Sequence, residues 1–161
     1  MSNETIPTKP KKLLIITSSG GGGLLRTADA KEQEARAKDP NLIIIKKDML
    51  KDWVWRPMGD FCINFWNNAQ RKGNVSALML CVSGQFLVDF VLHVPLFLRA
   101  LYELFKEDVD HIIDTQVFGT KAMIKALRIY NRKRKKNVIL EKVLVDLPTK
   151  KATHFFCRSR N

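Results

Sequence analysis

A chain of 161 residues, 45% hydrophobic and 27% charged, has the make-up of one folded domain, which excludes disordered, collagen-like and low-complexity chains. Three cysteines without regular spacing argue against a disulfide scaffold and fit a reducing compartment; the polar, then basic, opening does not read as a cleavable secretory segment. The net charge of +12 is uneven: residues 121–161 hold 13 Lys and Arg against two acids, so nearly all the excess lies there, and an anionic partner or a solvated helix end accounts for it.

Residues 1–12 read as a flexible lead. Residues 13–17 form a continuous apolar, β-branched run, the pattern of a central parallel strand buried on both faces. Ser18, Ser19 and Gly20 to Gly23 break it. Residues 24–38 carry good helix formers, Asp39-Pro40-Asn41 stops them, and residues 42–45 read as a second strand leading to Lys46, Lys47 and Asp48. The sum is one βαβ unit.

Trp53, Trp55 and Pro57 come close together, and Phe61, Phe65 and Trp66 follow at helical spacing, so residues 49–75 read as a loop and a helix ending near Lys72-Gly73-Asn74. Fifteen of the 21 residues at 78–98 are apolar, which raises a membrane span. Asp89 near the middle is costly in a bilayer, and Pro95 interrupts a helix. The expectation is two helices meeting near Val94-Pro95, with Pro in a first turn. Residues 111–114 read as a strand, 117–136 as a helix and 138–145 as a last strand. The fold class is α/β, a Rossmann-like parallel sheet flanked by helices.

A Gly-rich turn between strand and helix lets backbone N–H groups approach an anion, yet also serves plain close packing. The run fits neither a Walker A loop, having no Gly-Lys-Ser/Thr, nor the dinucleotide fingerprint, because Leu25 falls on its last Gly position. A small nucleotide-binding Rossmann enzyme is accordingly disfavoured. Asp48, Asp114 and Asp146 follow the C-terminal ends of expected strands, the edge where open α/β sheets bind ligands; each serves equally as a cap. No metal site is expected: Cys62, Cys81 and Cys157 lie far apart, and His154 with Cys157 is one pair. No paired nucleophile stands out, and His93, His111 and His154 read first as structural. Arg128 and Arg132, Lys133, Arg134, Lys135 and Lys136 form a basic stretch with only Tyr130 near it, which favours an anionic membrane surface over single-stranded nucleic acid.

Residues 13–30, LLIITSSGGGGLLRTADA, resemble the opening of the diacylglycerol glycosyltransferases, the monogalactosyl- and processive glucosyl-diacylglycerol synthases related to the murein N-acetylglucosamine transferase. There a first strand enters a Ser/Thr-x-x-Gly-Gly-Gly-His turn and an Ala-rich helix. IIIKKDMLKDW at 43–53 resembles the family's second strand ending in Asp before a Trp-containing segment. DVDHIIDTQVFG at 108–119 is similar to its Pro-Asp-x-Ile-Ile-Ser-x-His-Pro segment, and VLVDLPTKKATHFF at 143–156 to its Val-x-Thr-Asp-Phe-x-x-x-His-x-x-Trp segment.

The resemblance spans residues 13–156 and implies the N-terminal, acceptor-side half of a GT-B enzyme, two Rossmann-like domains with the active site between them. The cofactor-like donor, a UDP-sugar, would bind a C-terminal domain that this chain is too short to contain, so none is expected here. The implied ligand-side residues are Gly21, Gly22, Gly23, Asp48 and Gln116; the implied membrane or anion contacts are Trp53, Trp55 and the five basic residues 132–136. Leu24 stands where the family has its turn His and cannot transfer a proton, and Gln116 where it has a second His. Asp146 and His154 match, as weak catalytic candidates. The implied partners are anionic lipid or a diacylglycerol-type acceptor, and a C-terminal GT-B domain if the chain is a fragment, as its tail at 157–161 suggests. The location implied is cytoplasmic and peripheral to a membrane. The competing expectation is a basic binding module for nucleic acid or a protein partner.

Overall fold

The structure, a computed structural model, describes residues 10–145. In chain order it has β1 (Lys12–Thr17), α1 (Gly22–Lys38), β2 (Ile43–Asp48), a π-helical turn (Met49–Trp53), α2 (Arg56–Arg71), α3 (Val75–Glu107), β3 (His111–Asp114), α4 (Thr120–Arg134) and β4 (Ile139–Lys142). The four strands make one parallel sheet in the order β2-β1-β3-β4. This is the Rossmann-like α/β arrangement expected from the sequence.

β1 organises it. Leu13 to Ile16 are all buried because alternate side chains enter different layers. Leu14 and Ile16 join the main core with residues of α2, α3 and α4. Leu13 and Ile15 pack with Ala28 of α1 on the other face. α1 buries only Leu24 and Ala28 and is otherwise laced by the ion pairs Glu32–Arg36 and Glu34–Lys38. The edge strands β2 and β4 tolerate Lys46, Lys47, Glu141 and Lys142 because they are only partly buried. β2 therefore runs on to Asp48, beyond the apolar stretch that marked it.

The apolar region at 75–107 is one helix with Pro95 inside it, not two meeting at that proline. The bend, 53°, falls between Val75–Gly84 and Leu87–Glu107, beside the Ser83-Gly84 pair, a usual site of helix kinks. Pro95 and Val91, the residue whose carbonyl it leaves unbonded, are exposed, so water can satisfy that carbonyl at little cost. Among the described residues no single helix is long and apolar enough to cross a membrane.

Two contacts lock the helical layer. α2 crosses the π-helical turn so closely that a Cβ on Gly59 would lie 2.1 Å from the Leu50 carbonyl oxygen. Tyr130 of α4 is fully buried and donates to Asp108 Oδ1 at 2.7 Å. Lys136 pairs with Asp108 and Asp110 at 2.9 and 3.1 Å, so it clamps the end of α4 to the loop before β3.

Gly59→Ala should lower stability by about 2–4 kcal/mol, since backbone must move to admit the methyl; a urea midpoint unchanged from wild type would show that α2 does not press on the turn. Burial, and next the bond to Asp108, push the Tyr130 hydroxyl up to about 12. Its neutral form is the one the fold favours, so this stabilisation is complete below pH 10 and is lost as pH rises toward 12. Tyr130→Phe should remove that part of the alkaline stability loss, read by thermal melts from pH 9 to 12.

Candidate functional site

The chain leaves β1 toward β2 on one side and β3 toward β4 on the other, so the strand order reverses between β1 and β3. In open α/β sheets the crevice outside the C-terminal strand ends at such a reversal is the usual ligand site. Here those ends carry an unusual run of buried polar residues: Thr17, Ser18, Asp114, Thr115, Gln116 and Thr120.

Most of these groups are spent on one another. Asp48, opposite Thr17 in register, accepts the Ser19 N–H at 2.8 Å and the Ser19 hydroxyl, and its other oxygen accepts from Leu50 and Lys51 N–H at 3.0 and 3.1 Å. One carboxylate thus holds the Gly loop on one side and starts the π-helical turn on the other. Ser18 Oγ takes the Gly20 N–H, and Asn67 Oδ1 of α2 takes that of Gly21. Gly21 has φ of 103°, which favours glycine, and a Cβ there would lie 3.1 Å from the Trp66 indole nitrogen. The loop's leading N–H groups are therefore already occupied by protein oxygens. Among the described residues nothing lies within 4 Å of a Cβ placed on Gly22, while one on Gly23 would meet Val145.

The β3 side is organised by Asp114. It accepts the Gln116 N–H at 2.8 Å, the Thr120 hydroxyl at 2.9 Å and the Lys142 ammonium at 2.9 Å. Lys142 also donates to Thr120 Oγ1 at 2.8 Å and to the Gln116 carbonyl oxygen. Asp114 and Lys142 thus neutralise each other within one network. Against this, the Thr17 hydroxyl, both ends of the Gln116 carboxamide and the Trp66 indole N–H are buried without a partner among the described residues. Unpaired buried polar groups are rare and costly. What the crevice retains for a ligand is neutral hydrogen-bonding capacity.

Leu24, in the position of the resembled family's His, is buried and supplies packing only. His111 lies at the opposite end of β3, 3.6 Å from Glu141. The Cys62 and Cys81 thiols are both free, and burial pushes them up, away from nucleophile chemistry. Among the described residues no group of His, Cys, Asp and Glu could hold a metal ion. Asp146, His154 and Cys157 lie outside the described residues.

Trp53, expected at a membrane surface, is instead a core residue at 6% exposure, whereas Trp55 is 74% exposed. The two differ because Trp53 ends the π-helical turn that faces the main core. Arg132, Lys133, Arg134 and Lys135 are exposed. The structure adds Lys121 and Lys125, which with Arg128 and Arg132 form an exposed cationic stripe along α4. Lys125 and Arg134 lie over the Phe97 and Phe105 rings of α3, each 5.4 Å from the ring centre.

α3 is apolar on its exposed side as well as its buried one. Leu87, Val91, Val94, Leu98 and Tyr102, spaced four, three, four and four residues apart along one side, are all exposed by more than half. Two of its three acids reach inward. Asp89 accepts the Gly119 N–H at 2.7 Å, and Glu103, with no exposed surface, faces Arg99 at 3.0 Å and Lys47 at 3.6 Å. Asp89 stood out in the sequence only as an obstacle to spanning a membrane; Glu103 did not stand out, since its spacing on the buried side becomes visible only once the helix is known to be unbroken.

No family model matches the chain, and neither a curated protein nor a solved structure matches it.

If the partnerless groups are held for something outside the chain, apolar substitutes should be harmless to the free protein. Gln116→Met and Thr17→Val should leave the thermal midpoint unchanged or raise it, because a replaced orphan relieves a cost of about 1–3 kcal/mol. A loss of stability in both would point to partners within the fold. Asp48→Ala, which frees four donors at once, should destabilise by about 2–4 kcal/mol in urea unfolding.

Proposed function

We propose that this chain is the acceptor-side domain of a GT-B-type glycosyltransferase-like protein, seated on an anionic lipid surface and without transferase activity of its own. The observation that carries the reading is the exposed apolar row of α3. An exposed row of large apolar side chains on a helix whose Asp89 and Glu103 both reach inward suits a surface that meets hydrocarbon and not water. The cationic stripe of α4 adjoins it through the contacts of Lys125 and Arg134 with α3 rings, and phospholipid headgroups are the partner for such an edge. Trp55, exposed at the start of α2, suits the headgroup level.

Three things support the glycosyltransferase part: the order of the resembling segments, the Rossmann-like sheet, and a crevice at the reversal of strand order. The crevice favours holding an acceptor over reacting it. Its acids, Asp48 and Asp114, are tied into internal hydrogen bonds, and Leu24 offers no proton. The resemblance puts donor binding in a second Rossmann-like unit, and the described residues form one sheet.

The alternative, a basic module for nucleic acid, rests on the α4 stripe. Against it, the aromatic rings beside that stripe lie under Lys125 and Arg134 and are not offered for base stacking.

Co-sedimentation with vesicles of graded anionic content, repeated across salt, tests the reading. Binding should rise with anionic lipid, on a scale of about 1 kcal/mol per engaged Lys or Arg, and should weaken with salt. Val91→Glu with Leu98→Glu should abolish it, while melting as wild type. Salt-sensitive binding to RNA or DNA with none to vesicles would transfer the function to the alternative, and dimerisation through α3 would replace lipid by a second copy. No UDP-sugar turnover with a diacylglycerol acceptor should appear above a buffer blank, and Leu24→His should not restore any.

A further inference from the structure

Asp89 occupies an unexpected place on α3. It lies two residues past the 53° bend, between Val88 and Phe90, which are both exposed, Phe90 by 74%. Its carboxylate nevertheless reaches across to the backbone of Gly119, 30 residues on, and accepts that N–H at 2.7 Å. Gly119 is the residue before α4, which has no side-chain cap of its own and no acid in its first turn. Asp89 supplies from another helix what a capping side chain ordinarily supplies locally.

Gly119 also belongs to the crevice. It closes the turn that begins with Asp114 and Gln116 and leads into Thr120, the residue bonded to Asp114 and Lys142. The turn is pressed against α3 by a second, apolar contact. With φ of 77°, Gly119 lies so close that a Cβ would be 3.1 Å from Leu96 and 3.0 Å from Met49. α3 therefore touches lipid-facing space on one side and the crevice turn on the other, with one partly buried hydrogen bond between them.

We infer that seating α3 on lipid stiffens the crevice turn through Asp89. This rests on the lipid-surface reading of α3. In the free protein, water beside Val88 and Phe90 competes for the carboxylate, and the net worth of the Gly119 bond is small. Lipid packed around Leu87, Phe90 and Val91 excludes that water and lowers the local dielectric, which strengthens the bond. A carboxylate at the edge of hydrocarbon also cannot give up its donor without a heavy cost. The Gly119 N–H is thereby held, and with it the Gln116–Thr120 turn that carries the partnerless carboxamide. Asp89 is a positioning residue: it makes the order of the crevice depend on whether the helix is seated.

Hydrogen–deuterium exchange, read on peptides covering 87–98 and 115–122, tests this with and without vesicles of mixed phosphatidylcholine and phosphatidylserine. In the wild type, lipid should protect 87–98 and slow exchange at 115–122 by about tenfold, the scale of one strengthened hydrogen bond. In Asp89→Ala, 87–98 should remain protected while 115–122 exchanges fast with or without lipid. Asp89→Asn, which keeps an acceptor and the side-chain shape, should fall between the two and controls for misfolding. Protection of 87–98 with no change at 115–122 in the wild type overturns the coupling and leaves the lipid reading standing. A wild-type response in Asp89→Ala overturns the role of Asp89. No protection of 87–98 overturns both.

Discussion

Everything in this fold is arranged around one strand that must be hidden on both faces. Leu13, Leu14, Ile15 and Ile16 are together almost without exposed surface. A strand of that kind needs a sheet neighbour on each edge and a packed layer on each face. β2 and β3 supply the edges. The layers are unequal: among the described residues α1 is the one helix on one face, through Ala28, while α2, α3 and α4 build the main core on the other. The polar crevice exists because β1 ends where its two neighbours' connections part. The row of buried hydroxyl, carboxamide and carboxylate groups there is the junction between an apolar interior and an edge that the chain leaves open.

Much of this was legible in the sequence, because local chemistry decided it. Strand 13–17 holds a short apolar run that suits a buried parallel sheet, and the stop at Asp39-Pro40-Asn41 is dictated by backbone chemistry. The placement of the Gly loop follows from the strand before it and the helix formers after it. Where the reading failed, a distant neighbour decided. Pro95 did not end its helix, since the carbonyl it orphans belongs to an exposed residue, Val91, and is not sealed in the core. Trp53 joined the core because α2 folds back over its turn. Lys136 left the basic cluster because Asp108 and Asp110, 28 and 26 residues earlier, stand beside it. No periodicity or composition within a window reports such partners. The candidate site was legible as an address, the ends of β1, β2 and β3. The satisfaction of Asp48 and Asp114 by their own loops, and the isolation of Gln116, were not, because hydrogen-bond accounting needs coordinates.

The polarity of α3 bears on how stability and use are traded. A helix of a water-facing domain gains by turning acids outward and aliphatics inward. Here Glu103 is kept wholly buried between Arg99 and Lys47, which costs desolvation that the ion pairs only partly return, and the outward side forgoes the solubility that charge would give. Selection for folding alone would not favour either choice.

The register of β1 has a consequence for how the chain reaches this state. β2 follows β1 through the single helix α1, but the other partner is distant: the Lys12 N–H bonds the Asp110 carboxylate across 98 residues of chain. The middle of the sheet thus cannot close until α2 and the whole of α3 have been made. Contacts of such long range are slow to form. During synthesis the first βαβ unit therefore waits with one edge of its central strand unpaired, while the most apolar helix of the molecule emerges beside it. Maturation of this protein is then a race between pairing β3 and losing the nascent chain to aggregation, and a surface that shelters α3 early would favour the productive outcome.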